Sequence, residues 1–246
     1  MTKTKTEKTE KVVVILSGGI DSATVLGAAL EVSPPSDVYA LNFAYGARHN
    51  ARERESAQAL ASHYALALLG HYREIDLPFI ASLFRSHLLL GQGTIPHGHY
   101  EDEIMRDTVV PFRNGVMLSI AVGWAESVGA RVVLIGNHAG DHAIYPDCRP
   151  PFIEAFSQAA QKGTYEGITV RSPFLHRTKA EIVAVGASMR VPYELTYSCY
   201  EGRVRHCGQC GTCIERAEAF QVAEVPDPTS YAYDERRRLT SGSPSF

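Results

Sequence analysis

Three stretches of this sequence carry residue types that could do chemistry. The first is VILSGGIDSATVL, residues 14–26, which runs from an apolar segment through Gly18 and Gly19 into a helical pattern carrying Asp21, Ser22 and Thr24. Paired glycines let backbone approach a ligand closely, Ser17 and Ser22 add hydroxyl donors, and a helix starting near Ile20 contributes its positive end. Such a site wants an anion, and phosphate fits it. The loop lacks the Gly-Lys-Ser/Thr ending of a Walker A motif and is not the G-x-G-x-x-G dinucleotide fingerprint. A glycine turn followed by an Asp/Ser helix cap is the plainer alternative; the order strand, turn, helix favours phosphate.

The second stretch is SCYEGRVRHCGQCGTCIERAEAF, which spaces Cys199, Cys207, Cys210 and Cys213 as C-x7-C-x2-C-x2-C, with Gly208 and Gly211 letting the chain bend around one centre. Four thiolates suit a closed tetrahedral zinc site with no vacancy for catalysis. An iron–sulfur cluster is the rival, since it also takes four thiolates. Zinc as a structural staple is the preferred reading, with His206 outside the ligand set. The third stretch, GNHAGDHAIYPDCRPPF (136–152), follows an apolar run. There Asp141, Tyr145, Asp147 and Arg149 crowd towards one crevice. A carboxylate among them could pair with the N1–H and exocyclic amine of a guanine-like ring, and Tyr145 could stack on it. A hydrogen-bonded surface loop opened by Pro146 fits these residues equally well. Cys148 is either a small buried hydrophobe or a nucleophile, and residue type favours burial.

The elements that must position these groups show in the alternation of short β-rich runs with longer helical ones. KVVVIL (11–16), DVYALNF (37–43), HYREIDL (71–77) and RVVLIG (131–136) are predicted strands, the first and last almost continuously apolar, as parallel strands covered on both faces are. DSATVLGAALE (21–31), RHNARERESAQALASHYAL (48–66) and NGVMLSIAVGWAESVG (114–129) have helical spacing, and a further helix is predicted to begin near Thr178. This rhythm predicts an α/β fold, a doubly wound and mostly parallel sheet. In such a sheet ligands bind beyond the carboxyl ends of the strands, where the first and third stretches both emerge. Residues 85–110 form a long irregular insertion that is either functional or mobile.

With 246 residues, 45% of them apolar, and a net charge of −3, the chain can bury one sizeable core and carries no strong nucleic-acid signal. No run approaches the length of a membrane span, and MTKTKTEKTE lacks the apolar centre of a signal peptide, so the cytoplasm is the expected compartment. Four cysteines clustered in such a chain point to metal rather than to disulfides. The predicted organisation is a disordered leader (1–10), an α/β domain carrying the glycine loop (11–195) and a zinc-binding C-terminal segment with its tail (196–246).

The order Ser-Gly-Gly-x-Asp-Ser after a first strand resembles the pyrophosphate loop of the ATP pyrophosphatase (N-type, PP-loop) superfamily. That resemblance implies ATP and magnesium, with cleavage between the α and β phosphates. Further segments extend it: YGARH (45–49), VPFRN (110–114), YPDCRPPF (145–152), TKAEI (178–182), SCY (198–200), CGQCGTCIER (207–216) and DPTSYA (227–232). From about residue 11 to 232 the chain resembles, in this order, the 7-cyano-7-deazaguanine synthase (QueC) family. The resemblance implies an adenine nucleotide alpha-hydrolase-like fold and an ATP-dependent C–N ligase. Its expected reaction converts 7-carboxy-7-deazaguanine and ammonia to 7-cyano-7-deazaguanine, preQ0, on the route to queuosine.

By that resemblance, Leu16, Ser17, Gly18, Gly19, Ile20, Asp21, Ser22, Ala23, Thr24, Val25 and Leu26 form the ATP-binding segment, with Asp21 as helix cap or magnesium contact. Arg113 and Lys179 supply positive charge for developing phosphate charge. Arg113, Asp141, Tyr145, Asp147 and Arg149 are the expected substrate contacts. A small-molecule substrate, a homodimer and one structural zinc per chain are implied as well. Many members carry Gln, Gln and Gly where this sequence has Ile20, Ala47 and Phe112. Two other readings compete: passage of the activated deazaguanine to an amine of a protein or nucleic acid, or tRNA modification by another PP-loop ligase through Cys148; and a zinc-ribbon binding module without catalysis.

Overall fold

The computed structural model describes residues 10–99 and 103–233, so most of the expected leader and the end of the tail lie outside the described residues. Five parallel strands form one sheet: β1 (Val12–Ile15), β2 (Val38–Ala44), β3 (Tyr72–Asp76), β4 (Val132–Leu134) and β5 (Thr169–Arg171). Their order across the sheet is β3-β2-β1-β4-β5. Strand order therefore reverses between β1 and β4, and at that switch point the loops leaving the two strands diverge and open a crevice.

Seven helices accompany the strands among the described residues: α1 (Ile20–Val32), α2 (Asn50–His63), α3 (Pro78–Leu83), α4 (Arg113–Val128), α5 (Pro150–Gly163), α6 (Lys179–Ser188) and α7 (Gly211–Val222). β1 is buried along its whole length, and its alternate residues feed two apolar clusters. Val13 and Ile15 pack with the α4 side, while Val12 and Val14 pack with α1 and α6. The doubly wound prediction is thus met by a sheet covered on both faces.

Three helices and one strand go beyond the sequence reading. β5 is a three-residue edge strand, too short for periodicity to register. The short α3 and the longer α5 both start at proline, which pre-sets φ for the first helical turn. α7 grows directly out of the cysteine cluster, with Cys210 preceding it. The described part of the 85–110 insertion is anchored rather than loose. Leu88, Leu89, Ile95 and Met105 are buried, and its backbone bonds to Arg48, Gly46 and Gln209.

α7 is tied to the body by Arg216, whose side chain is wholly buried. It donates to the Tyr193 carbonyl, the Thr196 and Ser198 hydroxyls and the Asp227 carboxylate. That partner set satisfies a buried guanidinium, which would otherwise be strongly destabilising. α6 starts with a capping box, in which Thr178 Oγ1 accepts from the Glu181 amide and Glu181 accepts from the Thr178 amide.

Candidate active site

The switch-point crevice is an open cavity of about 1070 Å³ counted to its mouth. β1 brings Ser17, Gly19, Ile20, Asp21 and Ser22 to it, β2 brings Phe43 and Tyr45, and β4 brings Gly136, Asn137, Asp141, Tyr145 and Cys148. Gly136 allows the closest approach. A Cβ there would lie 3.0 Å from the Ser22 amide nitrogen, so β4 can run directly against the start of α1 only without a side chain.

The two loop glycines do different work. Gly18 has φ +91°, and a Cβ on it would sit 2.6 Å from the Glu53 carbonyl and 2.9 Å from the Ser56 Cβ. It is absent from the cavity lining and serves the packing of the loop on α2. Gly19 lines the cavity, and the nearest atom to its absent Cβ is Ser17 Oγ at 3.5 Å. The hydroxyls expected to meet phosphate hold the loop itself. Ser22 Oγ accepts from the Gly18 amide and Ser17 Oγ from the Gly19 amide, and the two hydroxyls are 3.1 Å apart. Leu16, Ala23, Val25 and Leu26 pack in the core, and Thr24 bonds to the Ile20 carbonyl and the Tyr193 hydroxyl. Of the expected ATP segment, these five support the loop from behind.

Asp21 lies within the first turn of α1 and Gly19 occupies the N-cap, so Asp21 does not hold the cap position that was one of its two expected roles. Its Oδ2 lies 3.1 Å from Lys179 Nζ, which in turn is 2.8 Å from Glu215 Oε2 on α7. Burial pushes the Asp21 carboxyl up, but the charges of Lys179 and His138 outweigh it and hold the group below the usual carboxylate range. Burial works against the Lys179 ammonium, and the flanking acids raise its pKa well above that of a free lysine. Lys179 is therefore a largely buried cation held between two acids, not a solvated one. Asp21 Oδ1 is buried with no hydrogen-bond partner among the described residues. An orphaned carboxylate oxygen beside the glycine loop fits a divalent cation such as magnesium. Glu215 was not singled out in the sequence; its place two residues after Cys213 is the only signal that could have pointed to it.

A second polar group lines the cavity near the ends of β2 and α4. Arg113 donates to the Tyr45 hydroxyl at 2.9 Å, and its guanidinium lies 5.3 Å from that ring's centre. Phe112, which precedes it, is exposed and left-handed at φ +53°, a conformation suited to the glycine many members have there. Asp147 does not line the cavity: its Oδ2 accepts from the Asn114 amide in the first turn of α4. It therefore fixes the helix start that carries Arg113 rather than facing the ligand space. Arg149 is exposed and donates to the His142 carbonyl, away from the lining. Asp141 and Tyr145 do line the cavity. Asp141 Oδ2 accepts from the His138 amide, and the buried Tyr145 hydroxyl bonds with Thr108 and Tyr200. Cys148 is buried on the wall, with Asn114 Nδ2 3.1 Å from its sulfur, and burial pushes its thiol well up, against nucleophilic use.

Tyr45, His49, Glu53, Tyr197 and Tyr200 also line the wall. Of these, only Tyr45, His49 and Tyr200 fell inside quoted motifs, and none was assigned a role. Glu53 lay in a helical pattern that looked like ordinary surface charge.

The sulfurs of Cys199, Cys207, Cys210 and Cys213 all lie within 4.8 Å of one another, and none is in a disulfide. Cys207 and Cys213 Sγ are 3.9 Å apart. A single ion ringed tetrahedrally by sulfurs at about 2.3 Å places them about 3.8 Å apart, so the cluster fits one metal ion. Backbone amides of Cys207, Gln209 and Cys210 donate to these sulfurs, as suits thiolates. His206 stays outside the set but is not idle: it is buried and its Nε2 accepts from the Ser198 amide.

Fold and site together define a PP-loop ATPase-like enzyme: a parallel sheet, a glycine loop at its switch point, a buried lysine facing that loop, and a four-cysteine cluster able to bind a metal ion. The family of queuosine biosynthesis protein QueC matches residues 11–224, and the chain belongs to that family. A 7-cyano-7-deazaguanine synthase from Porphyromonas gingivalis is 47% identical over 218 residues, covering 89% of this chain and 96% of that protein. One from a Marinomonas species is 45% identical, covering 90% of this chain and 98% of that protein. Among solved structures, an NMN synthetase from Francisella tularensis overlaps with a TM-score of 0.46 at 14% identity, covering 89% of this chain and 79% of that one.

Proposed function

We propose that this chain is an ATP-dependent ligase that converts 7-carboxy-7-deazaguanine and ammonia into 7-cyano-7-deazaguanine. The observation that carries the reading is the identity of 47% across nearly the whole length of a synthase, together with a family match over residues 11–224 that contains both the glycine loop and the cysteines. The chemistry accounts for one nucleotide cavity. A carboxylate is a poor electrophile, so its oxygen first takes the adenylyl group and ammonia then displaces AMP to give the amide. Activation of the amide oxygen in the same way lets a second AMP leave as the nitrile forms.

In this reading Gly19 and the first amides of α1 receive the phosphates, and Lys179 and Arg113 offset their developing charge. Asp21 Oδ1 would hold magnesium, whose charge would offset that of the phosphates. Tyr145 and Asp141 are the proposed contacts to the deazaguanine ring, while Asp147 acts through the start of α4. Cys199, Cys207, Cys210 and Cys213 hold a structural zinc. Homodimerisation and a cytoplasmic setting accompany this reading; no helix among the described residues is long and apolar enough to cross a membrane.

The test is one incubation with 7-carboxy-7-deazaguanine, ammonium, ATP and magnesium, followed by mass spectrometry of base and nucleotide. Nitrile with AMP and pyrophosphate is the expected result. Untouched ATP would refute the substrate; adenylation that stalls before the amide would show that another amine is the acceptor.

A further inference from the structure

Glu53 lies in the first turn of α2 and lines the cavity, and its backbone carbonyl packs against the glycine loop at Gly18. Its surroundings are built rather than incidental. Asn50 Oδ1 accepts from the amides of Tyr45 and Ala47, both at 2.8 Å, which fixes the orientation of that side chain. Asn50 Nδ2 is thereby aimed at Glu53 Oε2, 3.2 Å away. His49 Nε2 lies 3.6 Å from the same oxygen and 3.3 Å from the Tyr45 hydroxyl. The groups facing this carboxylate are thus Asn50 and His49 from its own helix, Tyr45 from the end of β2 and Arg113 from α4, with Tyr200 stacked obliquely beyond His49.

No lysine or arginine among the described residues comes within ion-pair distance of Glu53; the Arg113 guanidinium bonds to the Tyr45 hydroxyl instead. Burial lowers His49 to about 3, so it stays neutral and brings no compensating charge. The same burial raises Glu53 to about 7, with Arg113 and Asn50 pulling only partly the other way. A largely buried carboxyl without a cationic partner is expensive as a structural element. In the wall of a reaction cavity it is what a base working near neutral pH requires.

The reaction needs such a base twice. When ammonia adds to the adenylated carbonyl, a C–N bond forms and the nitrogen becomes cationic. It must lose a proton before the C–O bond breaks and AMP departs with the electron pair. After the amide oxygen has displaced pyrophosphate, the nitrogen must shed two protons in turn. One freed electron pair forms the third C–N bond as AMP leaves with the C–O pair, and the other stays on the nitrile nitrogen.

We propose that Glu53 is the general base of both rounds, its carboxylate taking these nitrogen-borne protons and passing each to solvent through the open mouth of the cavity. This inference rests on the ligase reading above. Adenylation itself releases no proton from nitrogen, so Glu53 has no part in it.

The experiment compares wild-type protein with Glu53→Gln and Glu53→Asp in two assays: carboxylate-dependent exchange of pyrophosphate into ATP, and nitrile formation from the supplied amide and ATP. The second assay contains no ammonium, so its pH profile is free of ammonia's own titration. Glu53→Gln should keep exchange within about threefold of wild type and slow nitrile formation by about 10²- to 10⁴-fold, the usual contribution of a general base. Wild-type nitrile formation should fall as pH drops below about 7. Glu53→Asp should recover part of the rate on a limb displaced to lower pH. Nitrile formation by Glu53→Gln at the wild-type rate would overturn the assignment, and so would parallel loss of exchange, which would make Glu53 a structural residue. Absence of exchange in the wild-type protein would instead remove the ligase reading and this inference with it.

Discussion

The unequal roles of the two loop glycines lead to paired substitutions with opposite signatures. In Gly18→Ala the new Cβ would meet a backbone carbonyl at 2.6 Å and a backbone nitrogen at 3.0 Å, neither of which can swing aside, at a φ of +91°. A left-handed backbone costs a non-glycine residue about 1–2 kcal/mol, and overpacking a tight contact about 1–3 kcal/mol. The sum, about 2–5 kcal/mol, is a large share of a typical domain's stability and corresponds to a fall in Tm of roughly 7–14 °C at its middle value. Gly19 has φ −80° and its would-be Cβ has only ordinary contacts. Gly19→Ala should therefore unfold within about 0.5 kcal/mol of wild type. Its methyl group stands where phosphate must approach, and loss of one hydrogen bond to a charged group costs about 1.5–3 kcal/mol, a 10- to 150-fold rise in KM for ATP. Thermal unfolding and pyrophosphate exchange on both variants test this. A stable Gly18→Ala protein would refute the packing argument, and an unchanged KM in Gly19→Ala would show that phosphate does not lie over that residue.

Lys179→Met leaves Asp21 and Glu215 as buried acids without their shared cation and should cost about 3–5 kcal/mol in urea unfolding, part of it regained in Lys179→Met/Glu215→Gln; full stability of the single variant would contradict the pairing. The four cysteines should carry about one zinc per chain by elemental analysis, with Cys213→Ser losing the metal and chelation lowering Tm; an iron–sulfur absorption band would replace zinc by a cluster. Because burial raises Glu53 from 4.5 to about 7, the folded chain binds its proton more readily than the unfolded one does. That contribution is complete below pH 4.5 and is lost as pH rises through 7, a change of about 3 kcal/mol. Glu53→Gln should abolish it, so the variant's stability relative to wild type should climb across that window; a flat difference between the two would rule the buried charge out.

What the sequence revealed and concealed follows from how far each signal extends along the chain. Strands β1 and β4 were legible because burial on both faces leaves an unbroken apolar run, and α4 because its pattern persists over 16 residues. β5 could not be read, since three residues at a sheet edge carry no period. The cysteines were found by spacing because their partners lie within 15 residues of one another. Asp147 was misjudged for the opposite reason: its partner is the Asn114 amide, 33 residues away, and only the fold shows which way the carboxylate turns. Glu53 was hidden by composition. In NARERESAQ it is one of several charges, and nothing local distinguishes the one that lines a cavity from Arg52 and Glu55, which pair with each other on the outside.

The first turn and a half of α7 holds three residues with three different employers. Cys213 belongs to the metal cluster, Glu215 to Lys179, and Arg216 to the segment from Tyr193 to Ser198. A helix advances about 100° per residue, so inserting or deleting one position between 210 and 216 would rotate whatever follows away from its partner. Length variation within this short span is therefore forbidden, and point exchange is tightly rationed. Anyone building hybrids between this chain and its relatives should carry residues 193–227 across as one indivisible block and place the junctions elsewhere, for instance at the exposed turn around Tyr165.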